Sequence, residues 1–148
     1  MRTVRNTMKV ALLGCTLLGS VVSCSQVPDM VLPPTVTSPA MNRTFERAKQ
    51  NDIAAIQKIA ECYSRGENGF PDDDREAANW YLLGAQRGDA SCQFSIASRY
   101  MYGNGRWPSV SKAEYWMRRA ADNGDTFAAK ILPEVRDRFN RYHGSPQQ

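Results

Sequence analysis

The central part of the chain carries a recurring hydrophobic rhythm. Ala55, Ile59 and Tyr63 fall at intervals of four, and so do Cys92, Ile96 and Tyr100, a spacing that puts side chains on one face of a helix. A glycine follows each tyrosine by three residues, Gly66 and Gly103, and stops that helix. A loop containing glycine and proline then turns the chain. Asp73-Asp74-Arg75-Glu76 and Ser111-Lys112-Ala113-Glu114 read as capping boxes opening a second helix. This second helix buries Ala77, Trp80 and Ala85 in one case, and Ala113, Trp116 and Ala121 in the other. Small residues let the helices approach, and the tryptophans fill the gap. Gly88 and Gly124 close it, with Asp89 and Asp125 following as caps.

The two stretches are copies of one pattern. Tyr63 and Tyr100 are 37 residues apart, Trp80 and Trp116 are 36 apart, and a one-residue difference in the connecting loop accounts for the change. Self-similarity at such a period means stacked repeats. The order Ile-Ala, Tyr, glycine loop, Ala, Trp, Ala and Gly resembles the Sel-one-like repeat, a relative of the tetratricopeptide repeat, over about residues 44 to 132. The resemblance implies an all-α fold, a short α/α solenoid of helical hairpins. Some positions depart from the family pattern. Ala60 and Ala97 stand where glycine is frequent, Gly66-Glu67-Asn68-Gly69 is one residue longer than Gly-x-Gly, and Trp107 replaces the usual valine. Thr44 to Asn51 looks like half a repeat at the front. Asp125 to His143 looks like a closing helix, interrupted or bent at Pro133. Each unit buries apolar surface only against its neighbours, and roughly three units are needed for stability.

The N-terminus has a different pattern. Arg2, Arg5 and Lys9 precede an uncharged apolar run, Val10 to Val22. A helix of that length is too short for a bilayer core of about 30 Å and fits a secretory signal peptide, residues 1–23. The run ends in Val21-Val22-Ser23-Cys24, which resembles the bacterial lipoprotein box. That resemblance implies lipidation of Cys24 and a membrane anchor of several acyl chains, which holds far better than one. A plain cleaved signal is the alternative. Leu12-Leu13-Gly14-Cys15 also matches the box but leaves too short an apolar segment before it. Ser25 after the cysteine, rather than aspartate, resembles the signal for the outer membrane, which places the domain in the bacterial envelope facing the periplasm. Residues 24–41 contain Pro28, Pro33, Pro34 and Pro39, disfavour helix and read as an extended tether. The repeat domain then covers 42–143, and 144–148 form a tail.

Charge and chemistry narrow the function further. The formal net charge is +4, but the three N-terminal cations account for most of it, and the remainder is close to neutral. A nucleic-acid binder would need a dense basic face, so no nucleic acid is expected. His143 is the sole histidine, which disfavours a histidine-based metal site and a Ser-His-Asp arrangement. Asp72-Asp73-Asp74 lacks the remaining ligand spacing of a calcium loop and sits where helix caps belong. The chain has no phosphate loop, and the glycines follow helices rather than strands. No cofactor, no metal and no catalytic residue are expected. The repeat register puts the Cα atoms of Cys62 and Cys92 roughly 13–14 Å apart, from about 10 Å of helix rise and a helix separation of about 8–10 Å. A disulfide does not reach that far, so both thiols are expected reduced.

A binding face is what remains. In the repeat family the first helix of each hairpin lines the concave side. With the four-spaced residues assigned to the core, the opposite stripe of the second repeat is Phe94, Ser98, Met101 and Tyr102, with Arg99 beside it. Its counterpart in the first repeat includes Glu61 and Arg65, and Trp107 is a second exposed aromatic in the loop. Aromatics and arginine are frequent hot spots. The competing reading is that Phe94 packs on the closing helix, near Lys130 and Glu134. The expectation is a non-enzymatic module that binds a protein partner from a lipid tether. One form is an immunity protein neutralising a secreted antibacterial toxin, as some envelope members of the family do; another is a scaffold of an envelope complex. A cysteine-rich branch of the family implies a third form, binding or cleavage of β-lactams, but the regularly spaced cysteine pairs of that branch are missing here.

Overall fold

Single polar side chains set the helix starts of both repeats. Asp52 accepts the Ala55 N–H at 3.1 Å, Asp89 the Cys92 N–H at 2.7 Å and Asp125 the Ala128 N–H at 2.8 Å. Asp73 accepts from the Arg75 and Glu76 N–H groups, and Ser109 from Lys112. Each satisfies a backbone donor that the first helical turn leaves unpaired. The Ala55 N–H and then the Arg47 guanidinium hold the Asp52 carboxyl below its ordinary range.

The computed structural model describes residues 31–143. Six helices occur among them: α1 (Pro39–Lys49), α2 (Ile53–Arg65), α3 (Asp74–Gln86), α4 (Ala90–Tyr102), α5 (Val110–Asp122) and α6 (Thr126–His143). There is no strand among the described residues. Each helix packs mainly on its neighbours in sequence. α2–α3 and α4–α5 are the two hairpins, α1 supplies the half-unit in front and α6 closes the other end. This is the all-α solenoid that the repeat pattern implies.

The hairpins share one latch. The Asp73 N–H donates to the Tyr63 carbonyl and the Ser109 N–H to the Tyr100 carbonyl, each at 2.8 Å. Gly66 and Gly103 end α2 and α4 in the left-handed region, at φ 62° and 82°. The second glycine of each loop joins one unit to the one before. A Cβ on Gly105 would overlap the Asp74 carbonyl at the start of α3, and one on Gly69 would meet the Thr35 carbonyl oxygen at 2.5 Å. Hydrogen takes the place of a side chain where two backbones meet.

The core is a chain of three clusters. Trp80, Phe45, Ile56, Ile59, Tyr63 and Phe70 fill the first, where Phe45 meets Trp80 edge-on at 5.6 Å and Tyr63 meets Phe70 at 4.9 Å. Cys92, Ile96, Tyr100 and Ala113 form the second, and Ala97, Met117, Ala120, Ala128 and Val135 the third. Cys62 and Cys92 are buried free thiols in different clusters. Burial pushes the Cys92 thiol upward, and the hydrogen bond and charge of Asp89 push it the same way.

Three expectations require correction. The tether does not extend to residue 41. α1 already starts at Pro39, Val36 is buried with Met41 in the first cluster, and the Thr35 hydroxyl donates to the Gly69 carbonyl. Proline suits the first helical position, and the apolar residues around it find a surface to cover. Of the interruption or bend expected at Pro133, the interruption does not occur, and α6 runs on through the proline. Ile131, Leu132 and Val135 pack on the third cluster on both sides of the proline and hold the helix through the missing hydrogen bond. The cap of α5 is Ser109, not Ser111; the 36-residue offset from Asp73 leads to the same position.

Candidate protein-binding surface

α4 places most of the expected face. Its core side buries Cys92, Ile96, Ala97 and Tyr100. Tyr102 is its last residue, ahead of the Gly103 cap, and 73% of it is exposed. Trp107 follows in the loop and is 91% exposed. The two glycine loops explain why. Gly69 and Gly105 dock in the same way, so Phe70 corresponds in space to Arg106, and Trp107 to the exposed Pro71. The extra residue between the glycines of the first loop makes this shift. Phe70 is therefore buried against Tyr63, whereas Trp107 stands in solvent.

Two depressions meet at Tyr102. One, about 70 Å³, lies between α4, α5 and α6 and is lined by Ser98, Met101, Tyr102, Met117, Ile131 and Arg138, among others. The Arg138 guanidinium reaches the Met101 sulfur at 3.5 Å. The other is an open cleft of about 680 Å³ bordered by Arg75, Tyr102, Gly105, Arg106, Trp107 and Pro108. The Arg106 Nη2 donates to Asn79 Oδ1 at 2.6 Å, while its Nε is buried without a partner.

Arg99 does not stand beside the open stripe. It is only 8% exposed. It donates to Asp74 Oδ1 at 2.7 Å and to the Ser64 hydroxyl, and lies over the Tyr81 ring at 5.2 Å. It clamps α4 to the preceding hairpin and is unavailable to a partner. The register carries the signal for this, since Arg99 is 37 residues after Cys62, itself a core position. Phe94 is half-buried and packs edge-on against Phe127 of α6 at 6.1 Å. Met101 is half-buried as well. Glu61 is half-buried with Lys58 at 3.9 Å, and Arg65 is exposed. Neither lines the two depressions at Tyr102. Both lie near the phenol of Tyr81, which burial pushes above its ordinary range.

Tyr102, Trp107 and Met101 therefore come together, and Arg75, Arg106 and Arg138 join them. Hydrophobic periodicity does not single out those three arginines, because Arg75 and Arg106 lie outside α4 and Arg138 reaches back from α6. No cluster of three or more metal-ligating side chains occurs among the described residues. No described helix is long and apolar enough to cross a membrane. Cys24 lies outside the described residues.

Comparison with known proteins agrees with this architecture. The Sel1 repeat model matches residues 53–89 and 90–125. The chain is 36% identical over 64 residues to the Sel1-repeat-containing protein YjcO of Escherichia coli (strain K12), which covers 43% of this chain and 26% of that protein. It thus spans about a quarter of that relative's length. It is 30% identical over 97 residues to the chitin synthase regulator SKT5 of Saccharomyces cerevisiae, covering 65% of this chain and 14% of that one. Among solved structures, the crystal structure of a Sel1 repeat protein from Oxalobacter formigenes superposes with a TM-score of 0.59 at 36% identity, covering 65% of this chain and 39% of that chain. Sel1-repeat solenoids are generally non-catalytic protein–protein interaction modules. The chain carries two consecutive Sel1 repeats, framed by α1 and α6.

Proposed function

We propose that this protein is a lipid-anchored module of the bacterial envelope that binds a protein partner through the surface around Tyr102 and Trp107. One observation carries the binding reading. Two large aromatic rings, 73% and 91% exposed, border one open cleft, whereas the other exposed rings, Phe127 and Tyr115, stand apart from it. Tyrosine and tryptophan bring large apolar area at low entropic cost and are enriched where partners bind. The anchor rests on the Val21-Val22-Ser23-Cys24 box, and with it the outer-membrane, periplasm-facing location. Neutralising a secreted toxin is the favoured form of the activity, because a small anchored module on that face would stand where such a toxin arrives. A scaffold of an envelope complex is the second form.

The test is capture from envelope extract on the full chain, compared with Tyr102→Ala/Trp107→Ala. At least a tenfold loss of a bound protein, with unchanged circular dichroism, supports the reading. Equal recovery overturns it. A captured toxin encoded beside this gene supports immunity, and a captured resident envelope protein supports the scaffold. Metabolic labelling with a fatty-acid analogue tests the anchor: wild type takes up label and Cys24→Ala does not. An unlabelled wild type contradicts the anchor.

A further inference from the structure

The cleft beside Tyr102 has an unbalanced charge. Arg75 and Arg106 border it, and no carboxylate does. Of the acids flanking Arg75 in sequence, Asp74 pairs with Arg99 at 2.7 Å, Asp73 caps α3 and Glu76 accepts the Asn79 amide at 3.1 Å; none of these, nor Asp72, nor Glu134 of the adjoining depression lines the cleft. Arg106 is bonded to the neutral Asn79, so most of its donors remain for another group. Among the described residues Arg75 forms no side-chain hydrogen bond or ion pair. Four other arginines find carboxylates, Arg47 with Asp52, Arg99 with Asp74, and Arg118 and Arg136 with Glu114, while Arg87, Arg119 and Arg138 bond neutral groups. A second open cleft, between α5 and α6, is lined by Glu114 and Asp137 together with Arg118 and Arg136. That cleft balances itself and calls for no charged ligand.

We propose that the Arg75–Arg106 cleft receives an acidic segment of the protein partner, its carboxylates on the two guanidinium groups and its apolar side chains on the Tyr102 and Trp107 rings. This inference rests on the reading of that surface as protein-binding and adds the chemistry of what binds. Guanidinium groups pair with carboxylates through two parallel hydrogen bonds, and the flanking rings supply the apolar contact that an isolated exposed ion pair lacks. An anionic bilayer fits less well. Membrane-surface binding draws on clusters of about four to eight cations, and this cleft has two beside two bulky rings.

The test uses the full chain and a fluorescein-labelled peptide of alternating glutamate, leucine and proline, against the same peptide with glutamine for glutamate. Anisotropy is followed at low and at physiological salt. The acidic peptide is expected to bind at least tenfold more tightly, with the advantage shrinking as salt rises. Arg75→Glu is expected to weaken it at least fivefold; that side chain holds nothing in the fold, so the variant remains folded. Arg106→Gln lowers affinity further, and Lys58→Glu on the first repeat leaves it unchanged. Equal binding of the two peptides, no binding of the acidic one up to millimolar concentration, or indifference to Arg75→Glu overturns the inference. So does binding to phosphatidylglycerol vesicles in preference to the peptide. If partner capture is lost on Tyr102→Ala/Trp107→Ala while the peptides bind alike, the carboxylate chemistry fails and the protein-binding reading stands. If capture survives that double substitution, the reading itself fails.

Discussion

The two repeats share caps, latches and docking glycines, yet they treat their aromatic residues in opposite ways. In the first, Tyr63, Phe70 and Trp80 are all buried, and Phe45 of α1 completes their cluster. In the second, Tyr100 is buried, Trp116 is half-buried and ringed by Tyr115 and Arg119, and Tyr102 and Trp107 face solvent. One hairpin geometry thus serves two purposes. The first repeat uses its rings for cohesion, while the second keeps its backbone frame and leaves rings available. The difference depends on one residue of loop length and on what lies upstream. The first repeat is covered by α1 and residues 32–36, whereas the outer parts of the second have only α6.

Substitution of the paired tryptophans separates the repeats most strongly. Trp80→Ala is expected to cost about 3–5 kcal/mol, the range for emptying a fully buried tryptophan site. Trp116→Ala is expected to cost less, because that ring is only half-buried against the second and third clusters. Urea unfolding followed by circular dichroism measures both, and equal costs would erase the distinction. Gly105→Ala follows. Its new Cβ meets the Asp74 carbonyl at a positive φ of 69°, whereas Gly88→Ala at φ 89° meets nothing. The former is expected to cost clearly more than the roughly 1–3 kcal/mol of backbone strain alone, the latter no more than that.

Alkaline titration gives a smaller effect, to which Tyr63 and Tyr81 of the first repeat and Cys92 of the second all contribute, since burial raises each of them. Burial pushes Tyr63 up to about 12 from an ordinary 10.0, and the charges of Glu76 and Asp73 add to it. The folded state therefore holds its proton longer than the unfolded state. This stability is fully present below pH 10 and is lost as pH rises from 10 towards about 12. Tyr63→Phe is expected to lessen that decline, by an amount on the order of 1–2 kcal/mol, in denaturation curves at pH 8, 10 and 11, and Tyr81 and Cys92 account for what remains. The smallest change is at the surface. Tyr102→Ala and Trp107→Ala should alter stability by no more than about 0.5 kcal/mol each, which lets binding losses be read without a folding correction.

Much of the frame is legible in the sequence because it depends on local rules. Glycines three residues past Tyr63 and Tyr100, aspartates at 89 and 125, and the four-residue spacing of the core positions each specify one element. Arg99 is not legible in the same way, since a cation reads as exposed until its partners are known. Asp74 and Ser64 are 25 and 35 residues away, and their proximity exists only once the hairpins stack. The same holds for Phe94, whose neighbour Phe127 comes from the next unit, and for Arg75 and Arg106, which no periodicity connects. Trp107 is legible as an exposed aromatic, but the 37-residue offset of the tyrosines pairs it with Phe70 and hides the one-residue shift at the glycines.

Site-specific photo-crosslinking in intact cells tests the central claim most directly. A benzophenone amino acid is placed in turn at positions 102 and 107 of the second repeat and at positions 61 and 65 of the first, in the full chain. The account predicts that one partner adduct forms from 102 and 107 and is at most weak from 61 and 65. Adducts of equal strength from all four positions, or from 61 and 65 alone, would contradict it.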